Sequence, residues 1–322
     1  MYTYETAYRE SLAYFDGDDL AAKAFVDKYA LRDNRIAYKD MLIEATPADM
    51  HMRMANALAK YEFRKYGVDG LSAEQIFKYF DKFKYLIPQG SIMFGLGNDK
   101  QVVTLSNCYV VPDPVDSYGG ILKTDEQIAQ ISKRRGGVGT SLDNLRPSGT
   151  PTHNSSHTST GIVTFEDRFS HTIREVGQNG RRGALMLMLI VHHPQILDFV
   201  QSKMDLTKIT GANISVKLTD TFLHATDLDS NIELKWPVNS TNPQVIQIAK
   251  AKEIWDVIVK TAHATAEPGI LFWDTILRES PADCYDEFRT TSTNPCLISW
   301  TRKRENCWKP VKISRPQHNP KG

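Results

Sequence analysis

The chain has 322 residues, 41% hydrophobic and 24% charged, which excludes a disordered or fibrous protein and leaves room for one large domain or two ordinary ones. Its net charge of +1 hides a basic end: residues 297–322 carry seven Lys and Arg against Glu305 alone, leaving residues 1–296 with 32 basic and 37 acidic residues. A body without a basic face argues against a nucleic-acid partner, and the lack of a long apolar run or a signal-like start argues against a membrane partner, so a cytoplasmic protein is expected.

In chain order, residues 1–90 read as a helical region. Apolar positions recur with helical period in DLAAKAFVDKYAL, DMHMRMANALAKYEFRKY and SAEQIFKYFDKFKYL. The second of these follows TPAD, where Thr46 is placed to cap and Pro47 to occupy the first turn. After YLIPQG the texture changes. QVVTLSNCYVV and ANISVKLT read as strands, while DEQIAQISK, FEDRFSHTIREV, HPQILDFVQSKM and EIWDVIVKTAHATA read as helices, which predicts β/α units. Ser240 to Asn242, with Pro243 behind, reads as a surface excursion, and the Pro-containing end WKPVKISRPQHNPKG as disordered.

Several stretches bear on chemistry. Four cysteines, Cys108, Cys284, Cys296 and Cys307, have no metal-type spacing and are too few for a disulfide scaffold. By itself Cys108, in SNCYV, reads as a small buried hydrophobe. In RRGGVGTSLDNLRPSGTP (134–151), Gly136, Gly137 and Gly139 would let backbone amides approach an anion, with Arg134, Arg135 and Arg146 supplying charge; a solvent loop is the equal alternative. GQNGRRGALM (177–186) repeats the pattern of flexible backbone beside guanidinium groups, and the two together suggest a nucleotide site. His192 and His193 have no matched third ligand and read as structural or surface residues; the aromatics of PGILFWDT read as core.

Taken together, DGDDLAAKAFVDKYAL, TPADMHMRMANALAKYE, SNCYVVPDPVDS, RRGGVGTSLDNLRPSG, VGQNGRRGALM, HHPQILDFVQSK, GANISVKLTD and PGILFWDTILRESPADCYDEFRTTSTNPC closely resemble the large, catalytic subunit of ribonucleotide reductase, over nearly all of residues 10–296. The resemblance implies an α/β fold in which the helical region (1–90) precedes the first part of a ten-stranded α/β barrel (91–296), with 297–322 as a non-homologous tail. It implies radical reduction of the ribose 2′-hydroxyl. Cys296 matches the thiyl-radical cysteine, Asn294 the neighbouring substrate-holding residue, and Cys108 one member of the reducing cysteine pair. Ser91 and Ser106 lie near substrate-contacting positions. Asp116 matches an acid that contacts a nucleoside triphosphate effector, Arg146 the arginine on its phosphates, and Gln178 and Arg182 the loop that relays effector identity. Such a chain would bind no metal itself and would draw its radical from a metal-containing small subunit or from adenosylcobalamin. A homodimer, the radical-generating subunit, a thioredoxin-type reductant, ribonucleotide substrate and dNTP or ATP effectors are the implied partners.

The pattern breaks after Cys296. Leu297 and Ile298 stand where the family has Gly-Glu, and the glutamate is its acid/base group; such assistance is typically worth about 100 to 10,000-fold. The resemblance also lacks the later strands, the partner of Cys108 and any preceding ATP- or dATP-binding activity domain. The expectation is therefore an incomplete chain, from a truncated or frame-shifted gene, with a self-splicing element starting at Cys296 and a gene split in two as the alternatives. A half barrel would also expose apolar strand faces and an unpaired edge.

Overall fold

The computed structural model describes residues 1–33, 41–176, 183–281 and 290–293. Asn294, Cys296, Gln178 and Arg182 lie outside these residues, as do Cys284, Cys307 and the tail 297–322.

Five helices form the N-terminal region: α1 (Tyr4–Tyr14), α2 (Asp19–Lys28), α3 (Pro47–Tyr66), α4 (Ala73–Phe80) and the short α5 (Gly90–Gly95). The start of α3 is built as its sequence predicts. Thr46 is the N-cap, Pro47 takes the first turn, and the Asp49 carboxylate accepts the N–H groups of Ala45 (2.9 Å) and Thr46 (3.0 Å). At α4, Ser72 and Gln75 exchange hydrogen bonds between side chain and backbone, at 3.3 and 2.8 Å. The apolar stripes of these helices meet in a core of Phe25, Val26, Met50, Met54, Ile76 and Phe80.

The remainder is a β/α array. Strands β1 (Cys108–Val110), β2 (Gly137–Ser141), β3 (Leu185–Ile190), β4 (Asn213–Leu218) and β7 (Gly269–Phe272) form one parallel sheet in the order β1-β2-β3-β4-β7. Helices α6 (Tyr118–Ser132), α7 (Ile162–Glu175), α8 (Ile196–Gln201), α9 (Asp220–Asp227) and α10 (Ala251–Thr265) connect them, and α11 (Trp273–Glu279) follows β7. Between α9 and α10 an antiparallel hairpin, β5 (Asn231–Trp236) and β6 (Val245–Lys250), turns through the segment that holds Ser240 to Asn242.

Paired residues of a parallel sheet face the same side, so the register divides the side chains into two sets. Val138, Leu185, Leu187, Leu189, Ile214, Val216 and Leu218 face one way and pack on Ile128, Phe169, Ile173, Phe199, Phe222, Ile254 and Ile258 of the helices. The opposite face carries Cys108, Gly137, Gly139, Ser141, Met186, Met188, Ser215, Lys217 and Leu271. Strands that follow chain order, with their connecting helices packed on one face, are arranged as at the start of an α/β barrel; a doubly wound sheet would reverse its order and cover both faces. Among the described residues β1 and β7 each pair with a single strand, and Val110, Ile270 and Phe272 near these edges are 47%, 37% and 50% exposed. No helix among the described residues is long and apolar enough to cross a membrane.

One stretch differs from its sequence reading. RRGGVGTS is not a glycine-rich loop: residues 137–141 are strand β2, buried throughout. Arg135, at φ 72°, turns the chain from α6 into that strand, and its own side chain is 5% exposed. The guanidinium lies 3.7 Å from the centroid of the Phe94 ring and donates to the Lys28 carbonyl at the end of α2 (3.1 Å). Arg135 thus ties the helical region to the sheet, and its geometry is that of a structural residue.

Candidate functional site

On the face opposite the connecting helices, where Ile276 of α11 packs against Met186, Met188 and Leu271, β4 places Lys217 beside its other polar residues Asn213 and Ser215. Lys217 pairs across the register with Ile190 and Leu271, and only 2% of it is exposed. Its side chain crosses β3 to reach the end of β2. There Nζ forms an ion pair with Asp143 and donates to Ser141 Oγ (2.8 Å) and to the Thr291 carbonyl (3.1 Å). Three acceptors saturate the three N–H bonds of an ammonium. The Trp273 ring, whose centroid lies 4.5 Å from Nζ, covers it further.

The anions are held as firmly. Asp143 Oδ1 accepts the Ile190 N–H (2.8 Å), and Asp113 Oδ1 accepts the Ser141 N–H (3.1 Å). Burial pushes the Asp113 carboxyl up to about 6, against the opposing pull of the Lys217 charge, and the Thr291 side chain hydrogen-bonds to it. Two residues on, Thr293 directs its N–H (3.2 Å) and its hydroxyl (3.5 Å) at the sulfur of Met188. Residues 291–293 are therefore fastened to this face at three points, immediately before Asn294.

Cys108 belongs to the same face, at the N-terminal end of β1, and is disulfide-bonded. Ser106 is exposed, and its hydroxyl donates to the Cys108 carbonyl (3.3 Å). Ser91, in the first turn of α5, is 1% exposed; its N–H donates to Asn107 Oδ1 (2.7 Å). The structure thus gathers Ser91, Ser106 and Cys108 around Asn107, beside the first strand.

Asp116 and Arg146 come together elsewhere, beyond the C-terminal ends of β1 and β2. Asp116 accepts from Arg146 Nε (2.7 Å), from Nη2 (2.6 Å) and from the Arg146 backbone N–H (3.1 Å), while Nη1 donates to the Pro151 carbonyl (2.8 Å). The guanidinium is half-buried, with the Trp236 ring centroid 5.6 Å away. Residues 147–151 then form one wall of a cleft of about 490 Å³, with Gln195, Asp198 and Gln247 opposite. Thr150 is 5% exposed, and its hydroxyl has no hydrogen-bond partner among the described residues. Gln195 Oε1 accepts the N–H groups of Ser148 (2.8 Å) and Ile162 (3.0 Å), which fixes the loop.

His192 and His193 are structural, as their sequence context suggests. His193 Nε2 contacts the Leu145 carbonyl (3.0 Å) and His192 Nε2 the Thr219 hydroxyl (2.8 Å). Burial lowers the pKa of both. Sequence reasoning missed Lys217, Asp143, Asp113 and Met188; the available signal was a charged residue, Lys217, at an alternating position of the strand NISVKL.

A family profile described as "Ribonucleotide reductase, barrel domain" matches residues 106–307, running past Cys296, where the motif resemblance ends. The vitamin B12-dependent ribonucleoside-diphosphate reductase of Thermoplasma acidophilum is 38% identical over 194 residues, which is 60% of this chain and 24% of that protein. The protein of the same description from Mycobacterium tuberculosis (strain CDC 1551) is 34% identical over 212 residues, 65% of this chain and 30% of that protein. The ribonucleoside-diphosphate reductase large chain 2 of Saccharomyces cerevisiae is 32% identical over 138 residues, 42% of this chain and 16% of that protein. The chain thus spans less than a third of the length of these relatives. With a one-sided parallel β/α array and a profile match over most of its length, the chain belongs to the ribonucleotide reductase large-subunit family, within its barrel domain.

Proposed function

We propose that this chain is the opening part of the catalytic barrel of a ribonucleoside-diphosphate reductase, and that its five parallel strands are half of a ten-stranded barrel. The observation that carries this reading is the shared face of Cys108 and residues 291–293, which lead directly into Asn294 and Cys296. In this reading Cys296 becomes the thiyl radical at the ribose and Asn294 holds the substrate with Ser91 and Ser106. The 2′-hydroxyl leaves as water while Cys108 and a second thiol become a disulfide, giving two electrons and two protons. A reaction of this kind needs a site shielded from water, which a closed barrel interior provides. Ile298 carries no group for proton transfer, so proton transfer at the ribose hydroxyls falls to other groups.

The radical source is either adenosylcobalamin, as the names of the Thermoplasma and Mycobacterium relatives suggest, or a metal-containing small subunit. Among the described residues no group of three or more His, Cys, Asp or Glu is placed to hold a metal. No residue of this chain is assigned to a corrin. A cytoplasmic homodimer with a thioredoxin-type reductant completes the proposed assembly.

The test supplies the rest of the barrel. Residues 106–296 grafted into the corresponding part of the Thermoplasma reductase should support formation of deoxyribonucleotides with adenosylcobalamin, and Cys296→Ser should lower that rate at least about a thousandfold, since a hydroxyl does not form the radical. Unchanged turnover in Cys296→Ser would remove the assignment.

A second reading, favoured by the Asp116–Arg146 pair beside the cleft, is a non-catalytic fragment that binds nucleotides or a partner subunit. Here Asp116 and Arg146 contact an effector triphosphate, and Gln178 and Arg182 relay its identity to the substrate site. Calorimetry on the chain itself with dATP, dTTP and dGTP should show saturable binding weakened about tenfold or more by Arg146→Ala. Folded protein that binds none of them would reject it.

A further inference from the structure

The interior cluster does more than fill space. Lys217 starts from β4, passes over β3 and ends between β2 and the incoming chain at Thr291. A buried lysine that served packing alone would find its counter-ion and stop; this one spends its third N–H on the backbone carbonyl of a segment that carries no regular secondary structure. The same residue, Thr291, is bound a second time through its side chain by Asp113, and Asp113 in turn accepts from the Ser141 backbone. Ser141 closes the circuit, accepting from Lys217 and donating to the Met188 carbonyl (3.4 Å). Thr293 then rests on the Met188 side chain. Ser292, between the two anchored threonines, is 4% exposed.

We infer that Lys217 is a positioning residue: with Asp113 and Asp143 it fastens residues 291–293 to the sheet face that carries Cys108, and so fixes where the chain toward Asn294 and Cys296 departs. The register makes this specific. Lys217 sits one pleat beyond Ser215, level with Ile190 and Leu271, and from there its side chain spans past β3 to the end of β2 and to the Thr291 carbonyl. A shorter or uncharged side chain would leave the Thr291 carbonyl and Asp143 without their donor in a buried place. The catalytic meaning of this clamp rests on the reductase reading above; the clamp itself does not.

The experiment therefore has a readout independent of turnover. Amide hydrogen exchange is followed by mass spectrometry on the full chain, comparing the wild type with Lys217→Met, which keeps the apolar stem under Trp273, and Lys217→Arg, which keeps the charge. Alkylation of Cys296 by iodoacetamide after reduction is measured alongside. Loss of the clamp predicts exchange faster on the order of tenfold at residues 291–293 in Lys217→Met. It also predicts a severalfold change in the Cys296 alkylation rate, with α7 and α10 unaltered and with partial restoration in Lys217→Arg. Ser141→Ala, which removes one acceptor and no charge, should move both readouts in the same direction by less, and decides the matter should Lys217→Met not fold. Exchange at 291–293 that stays unchanged in a folded variant overturns the inference, as does a rise spread evenly over the whole sheet. If the exchange and alkylation shifts appear while grafted chimeras make no deoxyribonucleotide, the clamp stands and the reductase reading fails.

Discussion

At the scale of single residues, the buried ionisable groups separate into those with a full set of partners and those without. Lys217 has three acceptors and a ring face; Glu166, on α7, is 0% exposed and has one donor, Ser202 Oγ at 2.9 Å, with Oε2 unpartnered among the described residues. Burial drives its carboxyl up to about 8, outweighing the Ser202 hydrogen bond and the Lys203 charge. The folded state therefore holds a proton that the unfolded chain, near the ordinary value of 4.5, has released. Its contribution to stability is complete below about pH 4.5 and is lost as the pH rises through about 8. Glu166→Gln should remove that slope: between about pH 6 and about pH 9 the wild type should lose stability on the order of a few kcal/mol that the variant keeps, measured by urea unfolding at each pH. Neither Glu166 nor Lys217 was legible as buried from the sequence. Glu166 stands in FEDRF beside Asp167, and only the helix phase relative to the sheet decides which of the two turns inward. Cys108, Cys296, Asp116 and Arg146 were singled out because motifs mark them; the mutual pairing of Asp116 and Arg146 could not be read, since 30 residues separate them.

At the scale of elements, the helices were the most readable part. Period, caps and Pro47 placed α2, α3, α4, α6, α7 and α10, and the alternation in ISVKL placed β4. Strand β2 was misread because its residues, GVGTS, have the composition of a loop and became strand through neighbours on both sides. The glycine ahead of it shows why a small residue is needed there. A Cβ on Gly136 would lie 2.5 Å from Ile131 Cγ2 and 3.0 Å from the Tyr109 ring. Gly136→Ala should therefore cost about 1–3 kcal/mol through overpacking, partly offset by about 0.4–1 kcal/mol from the stiffer unfolded chain. A lowered urea midpoint with an unchanged slope is the expected result; an unmoved midpoint would mean that α6 and β1 part easily. The hairpin β5–β6 was seen only as its turn. Its outer face mixes Glu233 and Lys235 with Ile246 and Ile248, so the alternation of apolar and polar residues that marks a strand is broken in β6.

At the scale of the whole molecule, two cores are joined by few but well-defined ties. Ser91 reaches Asn107 from α5, and Arg135 reaches back from the sheet to Phe94 and to the end of α2. The β/α order and the helical start were legible because each unit carries its own periodicity. The one-sidedness of the helices was not, because it depends on the hand and order of successive crossovers. The cleft beside Arg146 is a product of this largest scale, drawing its walls from the loop after β2, the turn after β3 and the hairpin. Its guanidinium is already engaged by Asp116 and by Pro151. In the effector reading proposed above, a phosphate at Arg146 would compete with a resident carboxylate of like charge, so binding there would be an exchange of partners. On that reading, what the phosphate gains at Arg146 would be offset by what Asp116 gives up, and Asp116 would become free for a new donor, such as a sugar hydroxyl or a base N–H, only once it was displaced.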